Sequence, residues 1–119
     1  MRLLLEDEIG LHLMERSFMT TWLENEPGAR PPRPGRRMKY IEPIVDSLKD
    51  ELTPAARKRL LHALAMVMGT EAAVAVRDIA GASVDEALAA SAWAAQALVN
   101  QARTEAAAAR RKRAAPRSA

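Results

Sequence analysis

Apolar residues recur at helical spacing along most of the chain. Between Arg2 and Glu24 they form two stripes, which predicts a helix with neighbours on two sides. One stripe contains Leu4, Leu11, Met14, Phe18 and Trp22, and the other contains Leu5, Ile9, Leu13, Met19 and Leu23. The pattern starts at Met1 without a capping residue ahead of it, so we expect the domain to be the rear part of something longer.

Two further helical runs follow a loop rich in proline and arginine. The stretch 26–37 contains four prolines and two glycines, which exclude regular structure. A helix over about 40–52 is predicted by an apolar face, with Pro43 in its first turn or at a kink. That face contains Ile41, Ile44, Val45, Leu48 and Leu52. Thr53-Pro54 is typical of an N-cap followed by proline, so the next run begins there and continues to 79, with Gly69-Thr70 as a candidate interruption.

The terminal helix is the most distinctive element. Gly81 fits the position after a helix, and the motif from Ser83 to Glu86 is a capping box. No glycine or proline follows until after Arg110, which gives about 40 Å of helix, whereas a compact domain of this chain length is roughly 35 Å wide. Part of this helix therefore needs a second partner.

The predicted fold is all-α, a bundle of about five helices whose last two are long and antiparallel. We expect one helical domain over 1–109 and a basic, disordered tail over 110–119. The net charge of +3 comes from that tail, because without its five basic residues the chain has 13 basic against 15 acidic side chains.

The composition also limits location and chemistry. The chain has no cysteine, and no apolar stretch reaches the 18 or so residues of a membrane span. The start is acidic and is not typical of a signal peptide, so we predict a cytoplasmic protein.

Catalytic and metal-binding patterns are lacking in the sequence. The five glycines are isolated, and His12 and His62 have no second histidine three or four residues away. Glu8 precedes His12 by four residues, which favours a surface pair over half of a metal site. We therefore predict no enzyme activity, no metal and no cofactor.

Large, adaptable side chains on apolar helices could line a ligand cavity or fill an ordinary core. The sequence does not decide between these two interpretations. The candidate pocket residues are Met14, Phe18, Trp22, Tyr40, His62 and Met66.

Several motifs resemble the regulatory domain of TetR-type transcriptional regulators. They are the sequence ALAMVMGTEA at 63–72, the VRDIAG step at 76–81 and the SVDEA…WAAQALV stretch at 83–99. The MERSF…WLE stretch at 14–24 and the Pro/Arg loop before a YIEPI helix are similar to the middle of that domain.

The resemblance implies an effector-sensing domain that forms a homodimer through its last two long helices, 54–79 and 83–109. The matching interface positions are Leu64, Met68, Ala90, Trp93, Ala97 and Asn100. A small apolar effector is implied as a further partner. No segment matches a recognition helix, so we expect no specific DNA binding by this chain. The alternative is a purely structural interaction module that pairs with a full-length relative. A small helical enzyme is a third hypothesis.

Overall fold

The structure is a computed structural model that describes residues 7–24 and 35–116. Those residues form five helices and no strand, which confirms the predicted all-α class. The helices are α1 (Glu8–Glu24), α2 (Met38–Asp46), α3 (Pro54–Val67), α4 (Thr70–Ala80) and α5 (Val84–Ala114), with a 3₁₀ turn (Gly35–Arg37) before α2. Leu4, Leu5, most of the 26–37 loop and the end of the tail lie outside the described residues.

Helix α1 begins with a cap that the apolar pattern did not reveal. The Asp7 side chain accepts a hydrogen bond of 2.9 Å from the Gly10 amide, which is the usual role of an N-cap residue. Asp7 stands between Glu6 and Glu8, inside the predicted helical run that starts at Arg2. The start of α1 is therefore fixed at Asp7 and Glu8.

Helix α2 is shorter and starts earlier than predicted. It begins at Met38, directly after the 3₁₀ turn, so that Pro43 lies in its second turn rather than its first. After Asp46 the chain continues as turns, in which the Ser47 hydroxyl donates to the Ile44 carbonyl at 2.6 Å. The turns still bury Leu48 and Leu52, so four of the five predicted positions of the apolar face are buried although the regular helix has ended, and Ile44 is exposed.

The core lies where α2, the 47–52 turn, α3 and α5 meet. Ile41 of α2 and Leu64 of α3 are fully buried. The complete cluster consists of Ile41, Val45, Leu48, Leu52, Leu60, Leu64 and Ala102. Helix α4 packs against α5 but contains no buried residue.

The predicted 54–79 segment consists of two helices. Helix α3 ends at Val67 and α4 begins at Thr70, and the two axes are bent by 49°. The interruption expected near Gly69 is therefore present, and α5 is the one long helix of the final pair. In the part of the chain that the structure describes, no single helix could span a membrane, and only this bent pair taken together has the required length and composition.

The capping box of α5 is confirmed in both directions. The Ser83 hydroxyl accepts from the Glu86 amide at 3.1 Å, and the Glu86 carboxylate accepts from the Ser83 amide at 2.7 Å. The helix continues to Ala114, so residues 110–114 are not the disordered tail that we expected. Alanine, arginine and lysine are good helix formers, and cations near a helix C-terminus interact favourably with its dipole.

We expect Leu64→Ala to lower the free energy of unfolding by about 2–5 kcal/mol, because it leaves a cavity in the core. Met66→Ala, two residues away on α3, is the matched control, since Met66 is 77% exposed. Urea denaturation of both variants measures the difference. Equal destabilisation by the two substitutions would contradict the position of the core.

Candidate interaction surface on the terminal helix

One side of α5 is occupied by its own chain. Ala87 and Ala102 are buried, and Ala95, Leu98 and Val99 pack against the core or next to it. These small side chains let the helix lie close to α3 and α4. This side of α5 therefore holds the domain together.

The opposite side of α5 is exposed and carries a tryptophan. We call it the outer face and define it as Ala89, Ala90, Trp93, Ala97 and Asn100. Trp93 is 76% exposed, and the other members are exposed small or polar residues. At about 100° per residue, positions 90, 93, 97 and 100 fall within roughly 80° of the helix circumference. They form one continuous strip along the helix.

The predicted interface residues do not all lie on this strip. Ala90, Trp93, Ala97 and Asn100 belong to the outer face, whereas Leu64 is completely buried by its own chain. Leu64 has no surface to offer a second chain in this structure, so its assignment to an interface is corrected to the core. Met68 is half-buried and packs against that core. Apolar character alone could not separate the core of α3 from an interface.

The candidate pocket residues are not gathered around a cavity in the described structure. Tyr40 is 74% exposed, and His62 and Met66 are exposed as well. Met14 of α1 is half-buried, and the side chains of Phe18 and Trp22 lie outside the described part. A cleft of about 270 Å³ lies between α2 and α3. It is lined by Glu42, Val45, Asp46, Arg57, Lys58 and Leu61, and by none of the four candidates whose side chains the structure describes.

A second apolar strip is exposed on α1. The stripe predicted from Ile9, Leu13, Met19 and Leu23 faces solvent along its described length. One contact between α1 and the bundle is polar, with His12 Nε2 lying 3.9 Å from Asp78 Oδ2 of α4. For the described members of this stripe, the expected neighbour on the second side of α1 is therefore lacking.

Polar contacts fix the position of α5 on the 47–52 turn and on α3. Arg103 donates two hydrogen bonds, of 2.8 and 3.2 Å, to the Glu51 carboxylate. Arg110 donates to the Glu51 carbonyl at 2.9 Å, so two arginines of α5 bind one residue of the 47–52 turn. Arg59 of α3 pairs with Glu105 of α5.

The Glu105 carboxylate is stabilised in its charged form. A hydrogen bond of 2.9 Å from Gln101 and the positive charge of Arg59 lower the pKa of Glu105. The group is exposed, so the interaction is weakened by solvent and salt.

Other chemistry is sparse in the two described ranges. They contain no group of three or more His, Asp or Glu residues that could hold a metal ion.

Comparisons with known proteins give no relative. Scans against protein-family models, curated proteins and solved structures found no match. The resemblance to TetR-type regulators therefore remains a prediction from the sequence.

We expect Glu105→Gln to lower the melting temperature slightly at neutral pH and to have no effect once Glu105 is protonated in the folded wild type. The depressed pKa means that the carboxylate stabilises the fold above its unfolded-state pKa and loses this effect as pH falls through the folded-state pKa. Thermal denaturation of the wild type and the variant, at neutral pH and at acidic pH, measures the difference in melting temperature. A deficit that persists at acidic pH would show that charge is not the cause.

Proposed function

We propose that this chain is a helical dimerisation domain, in the regulatory role that its resemblance to TetR-type regulators implies. Two copies are proposed to meet at the outer face of α5. The observation that carries this proposal is the exposed Trp93 on the outward side of a helix whose inward side is already filled.

The chemistry of the outer face suits contact with a second helix. A tryptophan buries about 150–250 Å² when covered, and tryptophan is enriched among the residues that dominate binding energy. Ala90 and Ala97 lie one turn before and one turn after Trp93 and leave room for a second helix to approach closely. A two-fold axis would place the same strip on both sides of the contact.

The extended shape of the chain supports the proposal that a second copy covers part of its surface. Its Cα radius of gyration is 18.2 Å, whereas a compact chain of this length has about 13.5 Å. Its accessible surface is 8950 Å², compared with roughly 6,300 Å² for a compact monomer of 13.0 kDa. A standard interface removes about 800 Å² from each partner, well within this surplus.

Charge favours an antiparallel arrangement of the two terminal helices. Asp85 and Glu86 lie in the first turn of α5, and Arg111, Lys112 and Arg113 lie in its last turn. Parallel pairing would bring the two acidic ends together and the two basic ends together, and such like-charge contacts are unfavourable, so the antiparallel orientation is favoured.

Effector sensing is the less supported part of the predicted role. Tyr40, His62 and Met66 face solvent instead of lining a cavity, and this observation favours the alternative of an interaction module without a ligand. Specific DNA binding by this chain alone is not proposed.

We expect the unmodified chain to be a dimer and Ala97→Arg to shift it to monomer, because an arginine there places an unpaired charge in the contact. Ala92→Arg is the matched control, since Ala92 is also exposed on α5 but lies about 100° from Trp93 around the helix. Light scattering coupled to gel filtration gives the mass of each protein.

Two results of that experiment would contradict the proposal. One is a folded monomer for the unmodified chain at tens of micromolar, and the other is equal loss of dimer in both arginine variants. Circular dichroism on the same samples shows whether either substitution unfolds the chain.

Trp93 supplies a direct readout of the contact surface. With Trp22→Phe, the fluorescence reports Trp93 alone, and we expect its emission to shift to shorter wavelength as protein concentration rises. A dimer whose Trp93 emission stays that of an exposed indole would place the interface elsewhere.

A further inference from the structure

The break between α3 and α4 is not explained by proline. The segment 54–80 contains one proline, at the first helical position, and one glycine, Gly69. Sharp kinks in helices usually have an identifiable cause, such as proline, a bulge or an inserted side chain. Here a side chain from another element is inserted at the break, which we define as Met68 and Gly69.

Arg37 of the 3₁₀ turn contacts both sides of the break. Its Nη1 donates a hydrogen bond of 2.8 Å to the carbonyl of Ala65 in the last turn of α3. Its Nη2 pairs with the carboxylate of Glu71 in the first turn of α4. One guanidinium therefore joins the end of one helix to the start of the next.

Gly69 provides the space for this guanidinium. A Cβ atom at position 69 would lie 2.5 Å from Arg37 Nη1 and 2.6 Å from Cζ, closer than such atoms can pack. Gly69 is buried and its backbone is extended, with φ 177° and ψ 169°, which other residues also adopt. The absence of a side chain at Gly69, and not its backbone angle, is therefore what leaves room for the Arg37 guanidinium in this position, and a Cβ there would push the guanidinium aside.

The carbonyls left open by the break are bound by side chains. In a continuous helix the Ala65 carbonyl would accept from the Gly69 amide, and the Val67 carbonyl would accept from the Glu71 amide. In the bent form Arg37 binds the first, and the Ser91 hydroxyl of α5 binds the second at 2.7 Å. The carbonyls of Ala65 and Val67 thus have two alternative sets of donors, which are backbone amides in a continuous helix and side chains in the bent form.

We propose that Arg37 holds the 54–80 segment in its bent form, and that withdrawal of its guanidinium lets the segment become one continuous helix. The continuous form regains the backbone hydrogen bonds across 65–71, and the bent form has the Arg37 and Ser91 contacts instead. Arg37 directly precedes α2, so any movement of that turn is coupled to the bend.

The bend between α3 and α4 is therefore a conformational switch that lies next to the terminal helix α5. Straightening breaks the contact between Ser91 and Val67, and it therefore changes how α4 and α5 lie on α3. This inference concerns the single chain and is independent of the proposed self-association.

The test compares Arg37→Met with Arg36→Met by NMR spectroscopy. Arg36 is exposed in the same 3₁₀ turn and serves as the matched control. We expect Arg37→Met to give helical carbon chemical shifts at Met68 and Gly69. Hydrogen exchange at the amides of 69–71 should slow on the order of tenfold, because these amides become hydrogen-bonded within a helix. Arg36→Met should leave both measurements unchanged.

A second pair of variants separates straightening from simple steric damage. Gly69→Ala alone clashes with the guanidinium, whereas Gly69→Ala combined with Arg37→Ala removes the clash and leaves a good helix former at 69. We expect the double variant to be folded and helical through 68–69. A folded double variant, or a folded Arg37→Met variant, that keeps non-helical shifts at these two residues would overturn the proposal.

Discussion

The burial of Leu60 and Leu64 between α2 and α5 is the contact on which the rest of the fold depends. Both leucines project from α3, and the buried cluster around them draws on α2, the 47–52 turn and α5. None of the side chains of α1 and α4 that the structure describes belongs to this cluster. The core is therefore small for the length of chain that surrounds it, and a large apolar surface stays in contact with solvent. That imbalance is the physical basis for proposing a second copy as a partner.

Polar side chains also hold the helices of this fold in position. The terminal helix is fixed by Arg103 and Arg110 on Glu51, and the bend between α3 and α4 is filled by Arg37. Exposed ion pairs contribute little to stability individually, but hydrogen bonds to backbone carbonyls set the geometry of helix ends. The helices are thus positioned by directional polar contacts in addition to the apolar packing of the core.

The sequence predicted the elements that local chemistry specifies. The capping box at Ser83, the N-cap at Thr53 and the apolar face of α2 are each set by residues within a few positions, and the structure contains all three. Contacts between distant positions were not predictable. The resemblance to TetR-type regulators placed Leu64 at an interface, and side-chain type made Met66 a pocket candidate, although Leu64 is buried and Met66 is exposed. Neither signal shows which side of α3 faces α5. The insertion of Arg37 beside Gly69 depends on residues 32 positions apart and left no local signal.

The exposed turn at 81–83 has a consequence for how the chain could be divided. The contacts that attach α5 to the rest, such as Arg59 with Glu105 and Arg103 with Glu51, join residues 46 and 52 positions apart. The peptide link at Gly81 is one attachment among several. Its main contribution is to raise the effective concentration of α5 near the helices α3 and α4 on which it packs. Two fragments cut at this turn contain complete, separately capped helices. The domain is therefore suited to fragment complementation, in which a synthetic α5 peptide reassembles with the first 81 residues.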